Sequence, residues 1–304
     1  MSERPALGID IGGTKIAVGL RDADGRFERL DEQPTTRFDG EANLRAVRIA
    51  IERFAPADAT VGLSLATTSD ADGVARDPRG WFGWTGWHLA ERLADLAAVT
   101  IVPDAACGAL AETRWGAGAG AKRLLYVTLG TGIAHCIVDD GVPQLGVSGA
   151  GTLSGSSLPF ASSWPVQHHW RSVEDIASGP GLASGFAGSE HALDARPVAA
   201  AYRKGDWHAR RTVEHASWQA GALIATLTTA FDPDRIVIGG GLASGFPEYA
   251  QLVNEVVDVL LDDWHAELTP LVPARFGSDS CWIGAAGASM GTPAQRLQNE
   301  GTAL

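Results

Sequence analysis

The 304-residue sequence has few of the residues that build disulfides and metal sites, with only three cysteines. Cys107, Cys136 and Cys281 lie far apart and match neither metal-ligand nor redox spacing, which excludes a disulfide framework. No apolar run is long enough to cross a bilayer, and the first residues lack the apolar core of a signal peptide. We therefore expect a reduced, soluble, cytoplasmic protein without a membrane partner.

Positive charge is also scarce, because 24 lysines and arginines stand against 36 aspartates and glutamates, for a net charge of −12. The only lysines are Lys15, Lys122 and Lys204. Such an acidic surface repels phosphate backbones, so the composition argues against nucleic acid as the main partner, while it permits a local positive pocket for a small anion. The 45% hydrophobic content is typical of a folded protein, and the length predicts two lobes or one large α/β unit.

Glycine, by contrast, is abundant, and it forms two loops between apolar segments. Gly12-Gly13-Thr14-Lys15 joins two short apolar runs, and Gly130-Thr131-Gly132 joins two more. Strands joined by so short a turn are antiparallel neighbours, whereas a Walker or dinucleotide loop opens a helix. Backbone N–H groups without a neighbouring Cβ approach anions closely, so the loops either bind phosphate or are only tight turns. Their pairing, with a third glycine cluster at 239–241, favours phosphate.

The repeated strand–loop–strand unit predicts a duplicated fold that holds a nucleotide between two lobes. The small residues at 116–121 mark the boundary. We predict a small α/β domain at 1–117, a large α/β domain at 118–281, and a C-terminal helix and tail at 282–304 that packs back on the small domain. Apolar spacing predicts helices at 41–54, 87–96, 105–115, 172–177, 213–231, 249–261 and 282–290.

Two aspartates stand where chemistry is expected. Asp10 immediately precedes the first glycine loop, and we predict that it holds Mg²⁺ through water, as nucleotide-bound cations usually keep several waters. Asp104 lies between a predicted strand and the helix at 105–115. It is either a helix N-cap or a general base that accepts a proton from a substrate hydroxyl.

A tryptophan cluster and a histidine pair each have alternative interpretations. Trp81, Trp84 and Trp87 recur at helical spacing, but the glycines between them predict a loop, whose tryptophans either pack in the core or form a wall for a sugar ring. The pair His168-His169 has no partner at metal-ligand spacing, which favours a solvated loop over a metal site.

Five segments, in order, resemble the ROK family of sugar kinases and repressors. They are Asp10-Ile11-Gly12-Gly13-Thr14-Lys15, the run from Asp104 to Glu112, Leu129-Gly130-Thr131-Gly132-Ile133, Ala177-Ser178-Gly179-Pro180 and Ile238-Gly239-Gly240-Gly241. The resemblance implies an actin-like, ribonuclease-H-like ATPase fold of two α/β domains, with ATP and sugar in the cleft. It implies phosphate binding by Gly12, Gly13, Thr14, Lys15, Gly130, Thr131 and Gly132, adenosine near Gly240 and Gly241, catalysis by Asp104, and sugar contact by Glu174.

The sequence also departs from the family pattern. Pro103 replaces the asparagine that precedes the catalytic aspartate, and Thr152 and Gly155 replace the glutamate and histidine of a Glu-x-Gly-His sugar motif. The cysteine-rich zinc loop is missing, since no cysteine lies between Cys136 and Cys281. We therefore expect no zinc.

These features together predict an ATP- and Mg²⁺-dependent kinase that phosphorylates the primary, 6-type hydroxyl of a hexose-like acceptor. The predicted acceptor contacts are Asp104, Pro103, Thr152 and Glu174. The departures favour a modified sugar of antibiotic biosynthesis, such as an aminodeoxyglucose of the kanosamine kind, with a C7 cyclitol or ordinary glucose as alternatives. A repressor of this family would carry a DNA-binding module before the first glycine loop. Here that loop begins at Gly12, so a repressor is disfavoured. A non-catalytic sugar sensor is the remaining alternative. The resemblance also implies a homodimer.

Overall fold

The computed structural model describes residues 4–69, 74–77, 80–146, 150–157, 171–188, 192–262 and 271–291. The chain divides into two compact units. Unit 1 comprises Met1–Trp115, Val142–Thr152 and Asp279–Leu304, and unit 2 comprises Gly116–Gly141 and Leu153–Ser278. The domain limits 1–117, 118–281 and 282–304 stay a prediction; the compact units differ from them in grouping 142–152 with the N-terminal segment.

The first 115 residues supply most of the elements of unit 1. In chain order they are β1 (Ala6–Ile11), β2 (Lys15–Arg21), β3 (Phe27–Pro34), α1 (Gly40–Phe54), β4 (Thr60–Leu65), β5 (Thr68–Ser69), β6 (Ala75–Arg76), α2 (Leu89–Leu93), β7 (Val99–Pro103) and α3 (Asp104–Trp115).

The remaining elements belong to unit 2, except for β10, the 3₁₀ turn at Ala150–Thr152 and the last helix, which belong to unit 1. They are β8 (Arg123–Leu129), β9 (Ile133–Asp139), β10 (Val142–Gln144), α4 (Ser154–Ser157), α5 (Glu174–Ala177), α6 (Gly179–Ala187), α7 (Arg196–Arg203), α8 (Trp207–Phe231), β11 (Arg235–Gly239), α9 (Gly241–Gly245), α10 (Pro247–Leu261), β12 (Val272–Pro273) and α11 (Ser280–Ser289).

Each unit is built on a mixed sheet, and the two sheets have the same strand order. In unit 1 the order is β3-β2-β1-β4-β7, with β1 antiparallel to β2 and parallel to β4, and β4 parallel to β7. In unit 2 it is β9-β8-β11-β12, which corresponds to β2-β1-β4-β7 of unit 1, with β8 antiparallel to β9 and parallel to β11. The hairpin followed by parallel strands therefore occurs twice, as the repeated glycine loops predict. Each unit also has its own apolar core.

Helix α11 packs directly on the sheet of unit 1 and on α3. A Cβ atom at Gly62 in β4 would lie 1.9 Å from the carbonyl oxygen of Ala285, and one at Gly284 would lie 1.7 Å from that of Cys107. Glycine is required at both positions because the backbones themselves are in contact. The helix is consequently held against the sheet with little freedom to slide.

The structure confirms most of the helices and strands expected from apolar spacing, and it differs at their ends. Helix α8 begins six residues before the expected position because Asp206 caps it, accepting a hydrogen bond from Ala209 N at 2.8 Å. Helix α2 is shorter than the expected 87–96. Strand β3 was not expected, since it is a polar edge strand with exposed charged residues. Among the described residues, no helix has the length and apolarity to cross a membrane.

Candidate active site

The candidate site of unit 1 lies at one edge of its sheet. Strands β1, β4 and β7 run parallel, with Asp10 opposite Ser64 and Ser64 opposite Val102 in the register. Parallel strands present their carboxyl ends at the same edge, so the first glycine loop, Ser64 and Asp104 emerge together. The structure thus brings the two predicted acidic residues to the same edge of unit 1.

The first glycine loop is a tight turn held from two sides. Gly12 N donates to Lys15 O at 2.9 Å, and the Thr35 hydroxyl donates to Gly12 O at 2.7 Å. Thr14 is exposed, and Gly13 is buried. The turn therefore keeps its shape without a ligand, as a preorganised anion site requires.

Lys15, the cation of this loop, is held by an acidic partner. Its Nζ lies 2.8 Å from Glu32 Oε2, which also accepts from Arg29 Nη1 at 2.6 Å. The hydrogen bond from Lys15 holds the pKa of Glu32 below its usual range. An incoming phosphate would have to compete with Glu32 for the ammonium group.

Asp10 is buried, and burial raises its pKa to about 6 although the Ser64 hydroxyl donates to Oδ1 at 2.7 Å. An ionised carboxylate held at this cost fits a hard cation, which favours oxygen ligands and would offset the desolvation. The described residues contain no group of three or more histidine, cysteine or acidic side chains that could hold a metal alone. Asp10 therefore fits a Mg²⁺ ion that is held mainly by nucleotide and water.

Asp104 is the first residue of α3 and directly follows β7. Its Oδ1 accepts from Ala105 N at 2.7 Å, and its carbonyl oxygen accepts from Cys281 Sγ at 3.6 Å. The carboxylate is half-buried, and it stands at the helix N-terminus, where negative charge is favoured. Pro103, the last residue of β7, pairs with Leu65 and has no amide to offer a sugar.

The positions expected to carry the sugar motif belong to different units. Thr152 is buried at the end of the 3₁₀ turn in unit 1. Gly155 is in α4 of unit 2, where a Cβ atom would lie 2.2 Å from Ile133 O. A histidine therefore cannot replace Gly155 unless α4 moves away from β9.

The second glycine loop, in unit 2, is fixed by Glu174. This glutamate is buried at the start of α5, and its Oε2 accepts from Ile133 N at 2.8 Å. The same oxygen lies beside Gly132, where a Cβ atom would approach it to 2.8 Å. Gly130 N donates to Gly132 O at 3.0 Å, which closes the turn below Thr131. Glu174, expected from the family resemblance as a sugar contact, thus has a loop-shaping role that the sequence did not indicate.

The glycines at 240 and 241 lie next to this loop. A Cβ atom at Gly130 would be 3.8 Å from Gly241 N. Gly240 has φ +94° and follows β11, and Gly241 begins α9. Two loops predicted to bind the nucleotide are thus adjacent within unit 2.

Alanine substitutions test which of these two glycines the folded backbone requires. At Gly240 a Cβ atom would lie 2.3 Å from Leu129 O, in a backbone conformation that L-residues rarely adopt. We expect Gly240→Ala to lower the free energy of unfolding by roughly 2–4 kcal/mol. At Gly241 a Cβ atom meets nothing within 4 Å, so Gly241→Ala should keep stability within about 0.5 kcal/mol. Urea unfolding of both variants checks this expectation, and equal stabilities would contradict it.

The tryptophan segment is a loop, as the glycines predict, and it is organised by Asp77. The Asp77 carboxylate accepts from the backbone N–H groups of Trp81, Phe82 and Gly83 at 2.8–3.0 Å. Trp84 is buried and donates to Gly40 O at 2.9 Å, so this tryptophan belongs to the core.

The other two tryptophans are half-buried and pack against arginines. Arg37 lies 4.7 Å from the ring centroid of Trp81, and Arg92 lies 3.7 Å from that of Trp87. The predicted wall for a sugar ring is untested. His168-His169 lies outside the described residues.

Comparison with known proteins identifies the family. The sequence pattern described as the ROK family matches residues 6–289. The chain belongs to the ROK family. It is 30% identical to the kanosamine kinase of Amycolatopsis mediterranei over 291 residues, which cover 92% of this chain and 94% of that protein. It is 32% identical to the N-acetylmannosamine kinase of Citrobacter koseri over 248 residues, which cover 79% of this chain and 85% of that protein.

Solved structures give the fold of this ROK family member. The ROK hexokinase of Thermus thermophilus has a TM-score of 0.76 at 30% identity, with 93% of this chain and 97% of that chain covered. The ROK family glucokinase of Streptomyces griseus, solved with glucose and AMPPNP, has a TM-score of 0.76 at 24% identity, with 93% and 98% covered. The fold is the actin-like ATPase fold with two α/β domains, as predicted. The chain is an enzyme of the sugar phosphotransferase class.

Proposed function

We propose that this ROK kinase transfers the γ-phosphate of ATP to the primary, 6-type hydroxyl of a modified hexose, with an aminodeoxyglucose of the kanosamine kind as the favoured acceptor. The observation that carries the proposal is the 30% identity to a kanosamine kinase over 92% of this chain, together with the altered sugar positions. A place in a biosynthetic pathway, rather than in sugar catabolism, follows from such an acceptor.

Sequence identity alone does not select the acceptor, because the N-acetylmannosamine kinase is similar to the same degree. The choice depends on the site. Pro103 offers no side-chain hydrogen bond, Thr152 replaces a carboxylate, and Gly155 leaves no room for an imidazole. A site without these polar partners gains little binding free energy from the ordinary hydroxyls of a glucose ring.

Negative charge favours an amino group on the ring. Asp104 supplies a half-buried carboxylate at the sheet edge, and Glu174 supplies a second one in unit 2. A charge-assisted hydrogen bond to an ammonium group is about twice as strong as a neutral one. We therefore propose that carboxylate charge, rather than recognition of ring hydroxyls, favours an acceptor that carries an ammonium group.

In the proposed reaction the protein positions the nucleotide and the acceptor, and it accepts one proton. Backbone N–H groups at 12–15 and 130–132 hold phosphate oxygens, and Lys15 leaves Glu32 to neutralise them. Asp104 takes the proton of the acceptor hydroxyl while the hydroxyl oxygen bonds to the γ-phosphorus. The bond between the γ-phosphorus and the ADP oxygen breaks in the same step. Mg²⁺, when bound near Asp10, supplies charge neutralisation for the phosphates.

An acceptor panel tests the proposal. We expect kcat/KM for free amino hexoses to exceed that for glucose, measured by coupled ADP detection beside mannose, N-acetylated hexosamines and C7 cyclitols. A tenfold or greater preference for glucose would overturn the acceptor assignment, and a preference for N-acetylmannosamine would favour the function of the second relative. A panel without any turnover would leave a sugar sensor as the better description.

Metal content gives a second test. We expect no stoichiometric zinc in the purified enzyme, since a structural site needs about four cysteine or histidine ligands and the sequence has no cysteine between Cys136 and Cys281. Elemental analysis checks this expectation, with Mg²⁺-dependent turnover as the accompanying measurement. One zinc per chain, or unfolding by a chelator, would contradict it.

A further inference from the structure

Two side chains, those of Ser64 and Cys281, each donate a hydrogen bond to one of the two acidic residues at the sheet edge of unit 1. Ser64 Oγ donates to Asp10 Oδ1 at 2.7 Å, and Cys281 Sγ donates to Asp104 O at 3.6 Å. We call these two side chains, Ser64 and Cys281, the bridge.

The backbone holds both members of the bridge in place. Ser64 is fully buried in β4, and the strand register sets it opposite Asp10. Cys281 is in the first turn of α11, whose backbone touches Gly62 of the sheet and Cys107 of α3. Because α11 has so little freedom, the thiol has a fixed position beside Asp104.

The chemistry of the bridge suits a place beside two acidic residues. Burial raises the pKa of the Cys281 thiol, and the charges of Asp10 and Asp104 raise it further. The Ser64 hydroxyl provides its proton to the Asp10 carboxylate, and the Cys281 thiol provides its proton to the backbone carbonyl of Asp104. An ionisable or bulky residue here would disturb the spacing of two like charges.

We propose that Ser64 and Cys281 are positioning residues for phosphoryl transfer, Ser64 by orienting the Asp10 carboxylate and Cys281 by fixing Asp104 at the start of α3. The inference depends on the proposed function, which gives Asp10 and Asp104 their roles. Neither bridge residue contacts substrate in this arrangement. Small errors in the placement of reacting groups cost large factors in rate, so the effect should exceed the worth of the hydrogen bonds themselves.

The two members should affect different kinetic constants. Cys281→Ala should lower kcat by about 10-fold and leave KM for MgATP within about twofold, because it loosens the base but not the nucleotide side. Ser64→Ala should raise KM for MgATP by about 10-fold, because the Asp10 carboxylate loses its donor. A purely structural role would lower stability without such a division.

Matched variants control for packing. Cys107→Ala removes another buried thiol of the same region, one that donates to Val102 O at 3.7 Å. It should lower the melting temperature and keep kcat and both KM values near wild type. Cys281→Ser restores a donor toward Asp104 O, and it should recover most of the kcat that Cys281→Ala loses.

The experiment measures kcat, both KM values and the melting temperature for these four variants, with the acceptor that wild type uses best. Kinetic profiles of Cys281→Ala and Cys107→Ala that coincide would overturn the role of Cys281, and an unchanged KM for MgATP in Ser64→Ala would overturn that of Ser64. If wild type phosphorylates no sugar, the proposed function fails instead. Calorimetric binding of MgADP then tests the bridge, with about 10-fold weaker binding to Ser64→Ala expected and equal binding overturning it.

Discussion

Replacement of Asp104 by asparagine is expected to lower kcat by roughly 10²–10⁴-fold, the usual contribution of a general base. Asparagine keeps the size and the hydrogen bond that Oδ1 accepts from Ala105 N, but it cannot take the proton of an acceptor hydroxyl. The start of α3 should therefore keep its geometry while the chemical step slows. Steady-state kinetics with a free amino hexose measures the effect.

Nucleotide binding is the control for this variant. Asp104→Asn should bind MgADP with an affinity within about threefold of wild type, because its phosphate contacts are assigned to the glycine loops. Near-wild-type turnover in Asp104→Asn would reduce the residue to a helix cap, the alternative that the sequence leaves open. Equal losses of binding and turnover would indicate that the substitution disturbs unit 1 as a whole.

The second large effect concerns Asp10, whose replacement by asparagine should stabilise the protein while it abolishes most of the activity. Burial raises the pKa of Asp10 from 3.8 to about 6, so the ionised form at neutral pH is held against its preference for water. Asparagine keeps the acceptor for the Ser64 hydroxyl without the charge. We expect the free energy of unfolding at pH 7.5 to rise by roughly 1–3 kcal/mol in the nucleotide-free protein.

The sign of the pH dependence follows from the same pKa. Above about pH 6 the folded wild-type chain carries an ionised Asp10, and the asparagine variant has its full advantage in the free energy of unfolding. Between about pH 6 and the usual value of 3.8, the folded chain binds the proton before the unfolded chain does, and the advantage shrinks. Below 3.8 both states are protonated, and the difference should vanish.

Asp77→Asn provides the opposite case in the same unit. The Asp77 carboxylate accepts from three backbone N–H groups, and an amide would turn a donor toward at least one of them. This variant should be less stable at pH 7.5, whereas Asp10→Asn should be more stable.

Turnover by Asp10→Asn should fall by roughly 10²-fold, since the charge that holds the cation is gone. Loss of stability in Asp10→Asn would contradict the account of Asp10.

The sequence predicts the parts of the fold that follow from local pattern. The tight loop at 12–15 has strands on both sides with no room for a helix, and the loop at 130–132 repeats it, so both hairpins could be predicted. The polar edge strand β3 lacks apolar alternation and was missed. The strand matters through a tertiary contact, because Glu32 in β3 forms an ion pair with Lys15 of the first glycine loop.

The candidate site was predictable only where a motif marks it. Asp10 and Asp104 lie in family segments, whereas Ser64 and Cys281 lie in no motif, and strand register and helix packing bring them to the same edge. A weak signal existed for Ser64, a polar residue near the end of an otherwise apolar strand. The hydrogen bond from Ile133 N to Glu174 left no signal, since a backbone donor looks the same at every position.

The most direct test of the central claim is the structure of the product. Wild-type enzyme, ATP, Mg²⁺ and a free amino hexose are incubated, and the product is analysed by phosphorus–proton correlated NMR, with Asp104→Asn at equal concentration alongside. The account predicts one sugar phosphomonoester per ADP, with phosphorus coupled to the protons on C6, and product formation in the variant slowed by roughly 10²-fold or more. ADP without a sugar phosphate, phosphate on a ring hydroxyl, or equal rates for the two proteins would contradict it.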